Sequence, residues 1–446
     1  MMQNIYIDRM FVAPSDTEMT PDLLSQYIRK HKTLLERYTK LKNQYNSNPP
    51  ILSQTNKAAY KPDNRLVVNY AKYIVDTLNG FFIGIPIKLS HDNQAVDDYL
   101  EFVDQYNDQD DNNAELSKLC SIYGNAYELI FADEAGQAGL TYLSPEEAFV
   151  IYDDSIVRRP LFGVRYYKDP DNVERGSFST ADKIQYFHDD GGYQFDDEVP
   201  HYFGDIPLIE YMENEERSGA FEGVETLINA HNKALSEKAN DVDYYADAYM
   251  KIIGPTLDEN TLNTLRDNRI INLACNDPSQ VTVDFMQKPD ADGTQENLVE
   301  RLENLIFQIS MVANINDKDF GNASGISLKY KLQSMFNLAK TKERKFVSGM
   351  NRRYKMLAHF PGSKMGEDDW MGIHYQFTRN IPSNLLEESQ IAGNLAGITS
   401  EETQLKVLSC VDNVKEEIQK KQEEAQSSVE SFKRTDVTEN AVEKQS

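Results

Sequence analysis

Between residues 126 and 187 the apolar side chains come in short β-branched and aromatic runs: Ala126–Phe131, Leu140–Leu143, Ala148–Tyr152, Leu161–Tyr167 and Lys183–Phe187. Turn signals separate them, among them Asp133-Glu134-Ala135-Gly136, Asp153-Asp154, Asp169-Pro170-Asp171-Asn172 and Asp189-Asp190-Gly191-Gly192. Runs of this length between Gly, Pro, Asn and Asp clusters are strands joined by tight turns, so the sheet they form is largely antiparallel. On both sides of this block the apolar period is helical. Helices kept apart from an antiparallel sheet define an α+β fold.

The helical part begins at Thr20-Pro21-Asp22, with Leu24, Ile28, Leu34, Leu35, Tyr38, Leu41 and Tyr45 on one face and Arg29, Lys30, Lys32, Arg37, Lys40 and Lys42 on the other, and stops at Asn46-Ser47-Asn48-Pro49-Pro50. A second, core-type helix is predicted over 66–78, ended by Asn79-Gly80. Residues 92–115 hold nine acidic residues and no basic one. Val96, Leu100, Val103 and Tyr106 make this an acidic helix, followed by an exposed loop over 107–113 whose carboxylates read as a solvated face rather than a calcium loop. After the strands, Phe203–Tyr211 is a short extended segment. Val224, Leu227, Ile228, Leu235, Ala239, Val242, Tyr245 and Tyr249 then mark a long helix.

Gly254-Pro255 breaks that helix, and 251–290 reads as a small α/β module with a helix over 258–266 and strands over 269–273 and 281–287. From Gly293 a second long helix carries Leu298, Leu302, Leu305, Ile309 and Val312 at steps of four, three, four and three, a heptad-like seam that can serve an internal core, a neighbouring chain, or both. Asn314–Gly325 is a polar, Gly-bearing loop, open to reading as an anion-binding nest or as a segment with glycine hinges. Residues 326–360 carry nine Lys and Arg against the single acid Glu343. Trp370–Phe377 alternates as a strand, 382–430 is helical with capping signals at Pro382-Ser383-Asn384 and Thr399-Ser400-Glu401-Glu402, and 431–446 is a loose charged tail.

Composition sets the scale and removes function classes. With 446 residues, a single core, which stops growing near roughly 250–300 residues, does not suffice, and two to four domains are expected. The longest apolar run, Phe81–Ile87, is far short of the roughly 18–20 residues that cross a bilayer, and the first residues lack the pattern of a secretory signal, so the chain is expected to be made in the cytoplasm and to stay there at first. Cys120, Cys275 and Cys410 stand alone, as ordinary thiols. No phosphate cradle, Rossmann glycine pattern, nucleophile elbow or paired histidine motif occurs, which argues against an enzyme and against any metal or cofactor. The net charge is −26. Against that background the basic segment has three readings: a DNA-contacting surface, a buried hub pairing with carboxylates of the same or a neighbouring subunit, or an exposed face. The local surplus of cations in an acidic chain favours the hub.

The order of parts, taken with Asp63-Asn64-Arg65-Leu66-Val67-Val68-Asn69-Tyr70, Gly80–Ile87, Tyr123-Gly124-Asn125-Ala126-Tyr127, Leu143-Ser144-Pro145 and Asn322-Ala323-Ser324-Gly325-Ile326-Ser327-Leu328-Lys329, resembles the portal proteins of long-tailed bacteriophages of Gram-positive hosts, over about residues 20–430. The resemblance implies a homo-oligomeric ring of about twelve subunits at one vertex of the phage head, through which double-stranded DNA enters and leaves. It implies a wing (1–220 with 326–381), two stem helices (221–250 and 293–313), a clip (251–292), a tunnel loop (314–325) and a helical crown (382–430). Partners implied are the terminase large subunit, which hydrolyses the ATP, a head-completion adaptor, and the major capsid and scaffolding proteins, in a particle assembled in the host cytoplasm.

In that frame Asn316, Asp317, Lys318, Asp319, Gly321 and Asn322 are the candidates for DNA contact. Glu237, Asp241 and Asp243 would line the channel, since an acidic wall avoids the counterion-release affinity that basic residues create for phosphates. Leu298, Leu302, Leu305 and Ile309, with Lys340, Arg344, Arg352 and Arg353 of the basic helix, would make subunit contacts, and Ile270, Ile271, Val281, Val283 and Phe285 would pair clip strands between subunits. Two rivals stay open: a DNA-acting enzyme with an unrecognised metal site, and a head adaptor that forms no ring.

Overall fold

A computed structural model describes residues 9–58, 61–246, 250–253, 282–285, 292–315, 330–381, 385–408, 410–411, 414 and 417–424. The chain divides into two units, one running to residue 322 and including 328–379, the other comprising 323–327 and 380–446.

In the first unit, the opening helix α1 (Pro21–Tyr45) starts as the sequence predicts, with Thr20 Oγ1 accepting the Leu23 N–H at its N-terminus. It lies on a six-stranded sheet of order β1-β5-β6-β7-β8-β9: β1 (Phe11–Ala13), β5 (Ala148–Asp153), β6 (Pro160–Lys168), β7 (Glu174–Ser179), β8 (Lys183–Asp189) and β9 (Tyr193–Pro200). All pairings are antiparallel except β1 with β5. Leu24 and Ile28 of the helix pack with Phe11, Phe149, Ile151, Phe162, Val164 and Phe178 in a continuous core. A smaller sheet of order β10-β3-β4 joins β3 (Asn125–Ala132), β4 (Ala138–Leu143) and β10 (Leu208–Met212). The α+β class is as predicted. The polar strands β7 and β9 were not legible in the sequence.

One buried histidine sits in the seam between α1 and the sheet. His31 Nε2 lies 2.8 Å from the Pro145 carbonyl, which can only accept, so this nitrogen carries the proton and Nδ1 accepts from Tyr166 Oη at 2.7 Å. Burial lowers its pKa to about 4. An unfolded histidine titrates near about 6.5, so between these values the unfolded chain binds a proton that the folded chain refuses, and stability falls as pH falls through this window. We expect the loss to reach about 3 kcal/mol by pH 4 relative to pH 7. In urea unfolding at pH 7, 5.5 and 4.5, His31→Gln should lack this component; an identical pH slope in both proteins would refute the assignment.

Beyond the sheet lie α2 (Tyr70–Ile83), β2 (Lys88–Ser90), α3 (Gln94–Tyr106) and α4 (Gln109–Tyr123). Two expectations are corrected here. The helix predicted over 66–78 begins only at Tyr70, where Asn69 caps it by accepting the Lys72 N–H, and it runs through Gly80 to Ile83; residues 66–68 are not helical. The predicted loop over 107–113 is a two-residue corner followed by helix. Asn107 pins that corner by donating to Val103 and Ala138 carbonyls and accepting from Leu140 N, Asp108 takes the left-handed conformation, and Gln109 and Asn113 are buried. At the other end of α4, Gly124 (φ +96°) closes the helix where a Cβ would lie 2.0 Å from the Arg217 carbonyl oxygen, so only glycine fits the Tyr123-Gly124-Asn125 sequence.

The basic segment forms α7 (Gln333–His359), following the long helices α5 (Glu225–Ala246) and α6 (Asp292–Ser310) expected to form the stem. Phe346 and Met350 pack α7 into a second core with Phe82 and Tyr211, and Gly349 permits the approach, since a Cβ there would sit 2.5 Å from the Tyr211 ring. The return strand is short: β13 (His374–Gln376) pairs antiparallel with β2. Within the segment expected to be a clip, β11 (Met250–Ile253) pairs antiparallel with β12 (Thr282–Phe285) of the same chain, with Val283 opposite Ile252 and Phe285 opposite Met250 in register. The predicted helix 258–266 and strand 269–273, with Ile270, Ile271 and Val281, lie outside the described residues. Cys120 is fully buried and Cys410 exposed. The second unit contains α8 (Leu385–Leu395) and α9 (Glu401–Leu405), the latter capped by Ser400 as expected.

Candidate functional site

Two constellations distinguish this molecule: a buried charged hub beneath α7, and the antiparallel pair α5 and α6 with the extended arm over 64–68 held against it. The hub answers the question of the basic segment. Arg353, 0% exposed, makes a two-pronged pair with Glu128 of β3 (Nη2 to Oε1 2.7 Å, Nε to Oε2 2.9 Å) and donates to Asn113 Oδ1 at 2.8 Å. Tyr211 Oη and Gln109 Nε2 donate to the same carboxylate. Burial opposes the Arg353 cation, and Glu128 more than offsets it, so the guanidinium is held firmly charged.

About three turns earlier on α7, Lys342 reaches Glu213 at 2.7 Å, the Ser117 carbonyl at 2.9 Å and Ser121 Oγ at 2.6 Å, also buried. Lys345 pairs with Glu215, Arg352 with Asp205 and Lys340 with Glu343, which also holds Arg379. Arg217 adds a further buried pair with Glu210; burial acts to raise that carboxyl, and Arg217, Tyr152 and Asn125 together hold it below its usual value. The helix is therefore a hub for carboxylates of its own chain. Arg353, expected at a subunit contact, is enclosed in the core beneath α7 and cannot reach a neighbour. Arg344 is exposed, Lys340 lies exposed beside Glu343, and Arg352 is partly buried.

The helices α5 and α6 run antiparallel, joined by Lys238 to Glu296 and by Gln295 Nε2 to Asp241 Oδ2 at 2.9 Å. Val224 and Ile228 of the predicted apolar stripe are buried, and from Asn232 onward the face that α5 buries is polar. Asn232, Ser236 and Asn240, four residues apart, point inward and accept the backbone N–H groups of Val68 (2.8 Å), Leu66 (2.9 Å) and Asn64 (2.6 Å), two residues apart. A helix rises about 6.0 Å in four residues and an extended chain about 6.6–6.8 Å in two, so the two spacings match closely enough for three rungs. The stripe Leu227, Leu235, Ala239 and Val242 is turned partly outward, Val242 being 64% exposed.

The same rotation applies to α6. Leu302 and Ile306 face inward, whereas Leu298 (51% exposed), the half-buried Leu305 and Ile309 (53%) form an outward apolar stripe. Leu302 thus belongs to the chain's own core. At the end of α6, Tyr73 Oη donates to the Ala313 carbonyl at 3.3 Å and accepts the Ile315 N–H at 2.9 Å, fixing the chain where it enters the predicted tunnel loop.

Of the predicted lining, Glu237 is exposed but bound by Lys57 Nζ at 2.8 Å, and that hydrogen bond holds its pKa below the usual carboxylate value. Asp243 is exposed and accepts from Asn64 Nδ2 at 2.5 Å; Asp241 faces α6. Asn316, Asp317, Lys318, Asp319, Gly321 and Asn322 lie outside the described residues. Among the described residues no group of three or more His, Cys, Asp and Glu is placed to hold a metal ion, and no helix is long and apolar enough to cross a membrane.

Comparison with known proteins adds a family. A family model described as phage portal protein, SPP1 Gp6-like, matches residues 24–431. The portal protein of Bacillus phage SPP1 is 25% identical over 399 residues, 82% of this chain and 76% of the relative; that of Clostridium phage phiCD119 is 23% identical over 398 residues, 79% and 83%. Among solved structures, a chain in the neck of a native GTA particle computed with C12 symmetry is 11% identical, with a TM-score of 0.48 over 84% of this chain and 94% of the other.

Proposed function

The chain belongs to the SPP1 Gp6-like family of phage portal proteins, which places its work at the head vertex, and from that membership we propose that about twelve copies close into a ring there, as a cyclic assembly of identical subunits requires. The ring is the channel for double-stranded DNA during packaging and ejection. The terminase large subunit and a head-completion adaptor dock on the clip, and the capsid and scaffolding proteins surround the wing. The chain itself performs no catalysis in this reading; it is assembled in the host cytoplasm and resides in the virion.

The observation that carries the ring is the outward apolar stripe of the stem. Leu298 and Ile309 on α6 and Val242 on α5 are large apolar side chains more than half exposed among the described residues, with the half-buried Leu305 between the first two, and a second copy is the cover that a ring supplies on both flanks of each subunit. Glu237, Asp241 and Asp243 remain the proposed acidic wall, softened at Glu237 by Lys57. The loop over 314–325, anchored at its start by Tyr73, is the proposed point of DNA contact.

Light scattering tests this directly. The wild-type protein should contain particles of about twelve 51.0 kDa subunits with a central hole in negative stain. Leu298→Asp/Ile309→Asp, two exposed positions, should keep the wild-type thermal midpoint and remain monomeric at the same concentration. Rings of unchanged mass from that variant would overturn the stem contact.

A further inference from the structure

Besides the stem, the wing carries a knob and a hole of matching chemistry. The knob is the turn between β5 and β6. Ile156, 100% exposed, and Val157, 66% exposed, stand at its tip, followed by the exposed Arg158 and Arg159. The turn is built to hold them out. Asp153 Oδ1 accepts from Ser155 N, Ser155 Oγ and Arg159 N, the Asp153 N–H donates to the Arg159 carbonyl, and Asp154 accepts from Ser15 N of the adjoining loop. A rigid turn that presents two large aliphatic side chains to water is a contact surface rather than a chance exposure.

The hole is a cleft of about 590 Å³ between β2, α3 and α4. Its rim and walls carry Asp97, Glu101, Asp104, Asp108, Asp110 and Asp111 against the single cation Lys88, over apolar surface from Ile87 and Leu100. Gln109, 1% exposed, lines it as well: its Nε2 is used by Glu128 and Asn113, and its Oε1 finds no donor among the described residues. A buried acceptor without a donor is costly, and here it belongs to a cleft that otherwise gathers negative charge. Burial also pushes the Asp104 carboxyl up to about 6, which a neighbouring cation would reverse.

Taking the ring as given, we propose that the turn 153–159 of each subunit seats in the acidic cleft of the next, with Ile156 and Val157 on the apolar floor and Arg158 and Arg159 among the carboxylates. The occupant is a second copy because the chemistry required, two aliphatic side chains beside two guanidinium groups, is presented rigidly by this chain, and its own cleft does not receive it. Knob and hole are different patches of one subunit. Their pairing is therefore head-to-tail, the kind of contact whose repetition closes a ring.

Two variants decide the matter. Arg158→Glu/Arg159→Glu reverses the knob, and Glu101→Lys/Asp111→Lys reverses the cleft; all four positions are exposed, and retention of the wild-type circular dichroism and thermal midpoint checks the fold. Each variant alone should lose ring assembly at least ten-fold in the concentration required. Mixed in equal amounts they should assemble together, because each reversed knob then meets a reversed cleft and each native knob a native one. Either variant assembling like wild type, or a mixture of folded variants that forms no complex of any size, overturns the contact. Ile156→Ser supplies a milder arm, with a smaller weakening in the same direction. The wild-type mass measured in parallel tests the ring itself, so failure of the ring and failure of the knob are read from different samples.

Discussion

Arg353→Met will lower the unfolding free energy of the wing by about 3–5 kcal/mol, the cost of leaving a buried charge without its partner. Methionine roughly fills the space of the arginine stem, so little of this loss is cavity. The cost arises because Glu128, 1% exposed, keeps only Tyr211 and Gln109 as donors, and because Asn113 loses the 2.8 Å bond that helps to orient it. Adding Glu128→Gln removes the stranded charge and should recover a substantial part, since an amide still accepts from Tyr211. Urea unfolding followed by tryptophan and tyrosine fluorescence gives both numbers. A single-variant loss under about 1 kcal/mol, or no recovery in the double variant, would show that the pair is solvated or replaceable.

Replacing Asn232, Ser236 and Asn240 together with Ala should release the arm 64–68 from the stem. Each substitution leaves a backbone N–H without its acceptor, at about 1–3 kcal/mol apiece where water is excluded, so the triple variant loses several kcal/mol locally. The wing core does not include these bonds and should melt near its usual temperature. Trypsin reports the difference, because Arg65 lies within the arm and Lys57 shortly before it. When opening limits cleavage through its equilibrium, a loss of about 3 kcal/mol corresponds to cleavage more than a hundred-fold faster. Cleavage at these sites at the wild-type rate would mean the ladder contributes nothing to holding the arm.

These cases also show what the sequence could and could not disclose. The antiparallel sheet was legible because β3, β5, β6 and β8 bury aliphatic and aromatic side chains between unambiguous turns. β9 was not, because Asp196-Asp197-Glu198 ending in Pro200 is how an edge strand is written when it must not recruit a partner. The cationic excess of α7 correctly demanded counter-charges, but its partners sit at Glu128, Asp205, Glu213 and Glu215, more than a hundred residues away in sequence, and only folding brings them together. The stem helices misled in the opposite sense. Apolar periodicity marked both helices without fixing which side would be buried, and on α5 Asn232, Ser236 and Asn240 continue the inward face that Val224 and Ile228 begin. Their spacing of four was visible, though its meaning depended on an extended segment that itself read as helix. The apolar spacing that extended the helix back to Leu66 yields to three side-chain acceptors lined up to receive alternate N–H groups, and the β-branched Val67-Val68 suits the extended form.

The mismatch in those two spacings makes the arm a vernier. Helix graduations of about 6.0 Å and strand graduations of about 6.6–6.8 Å coincide over three marks and then drift apart. The scale also stops by composition: the next mark toward the N-terminus is Pro62, which has no N–H to read, and the next toward the C-terminus is Tyr70, whose N–H already turns back to the Val68 carbonyl. Only one setting aligns all three marks. The axial offset between stem and wing is therefore calibrated within each subunit, and identical subunits would bring the same offset to every position around a ring.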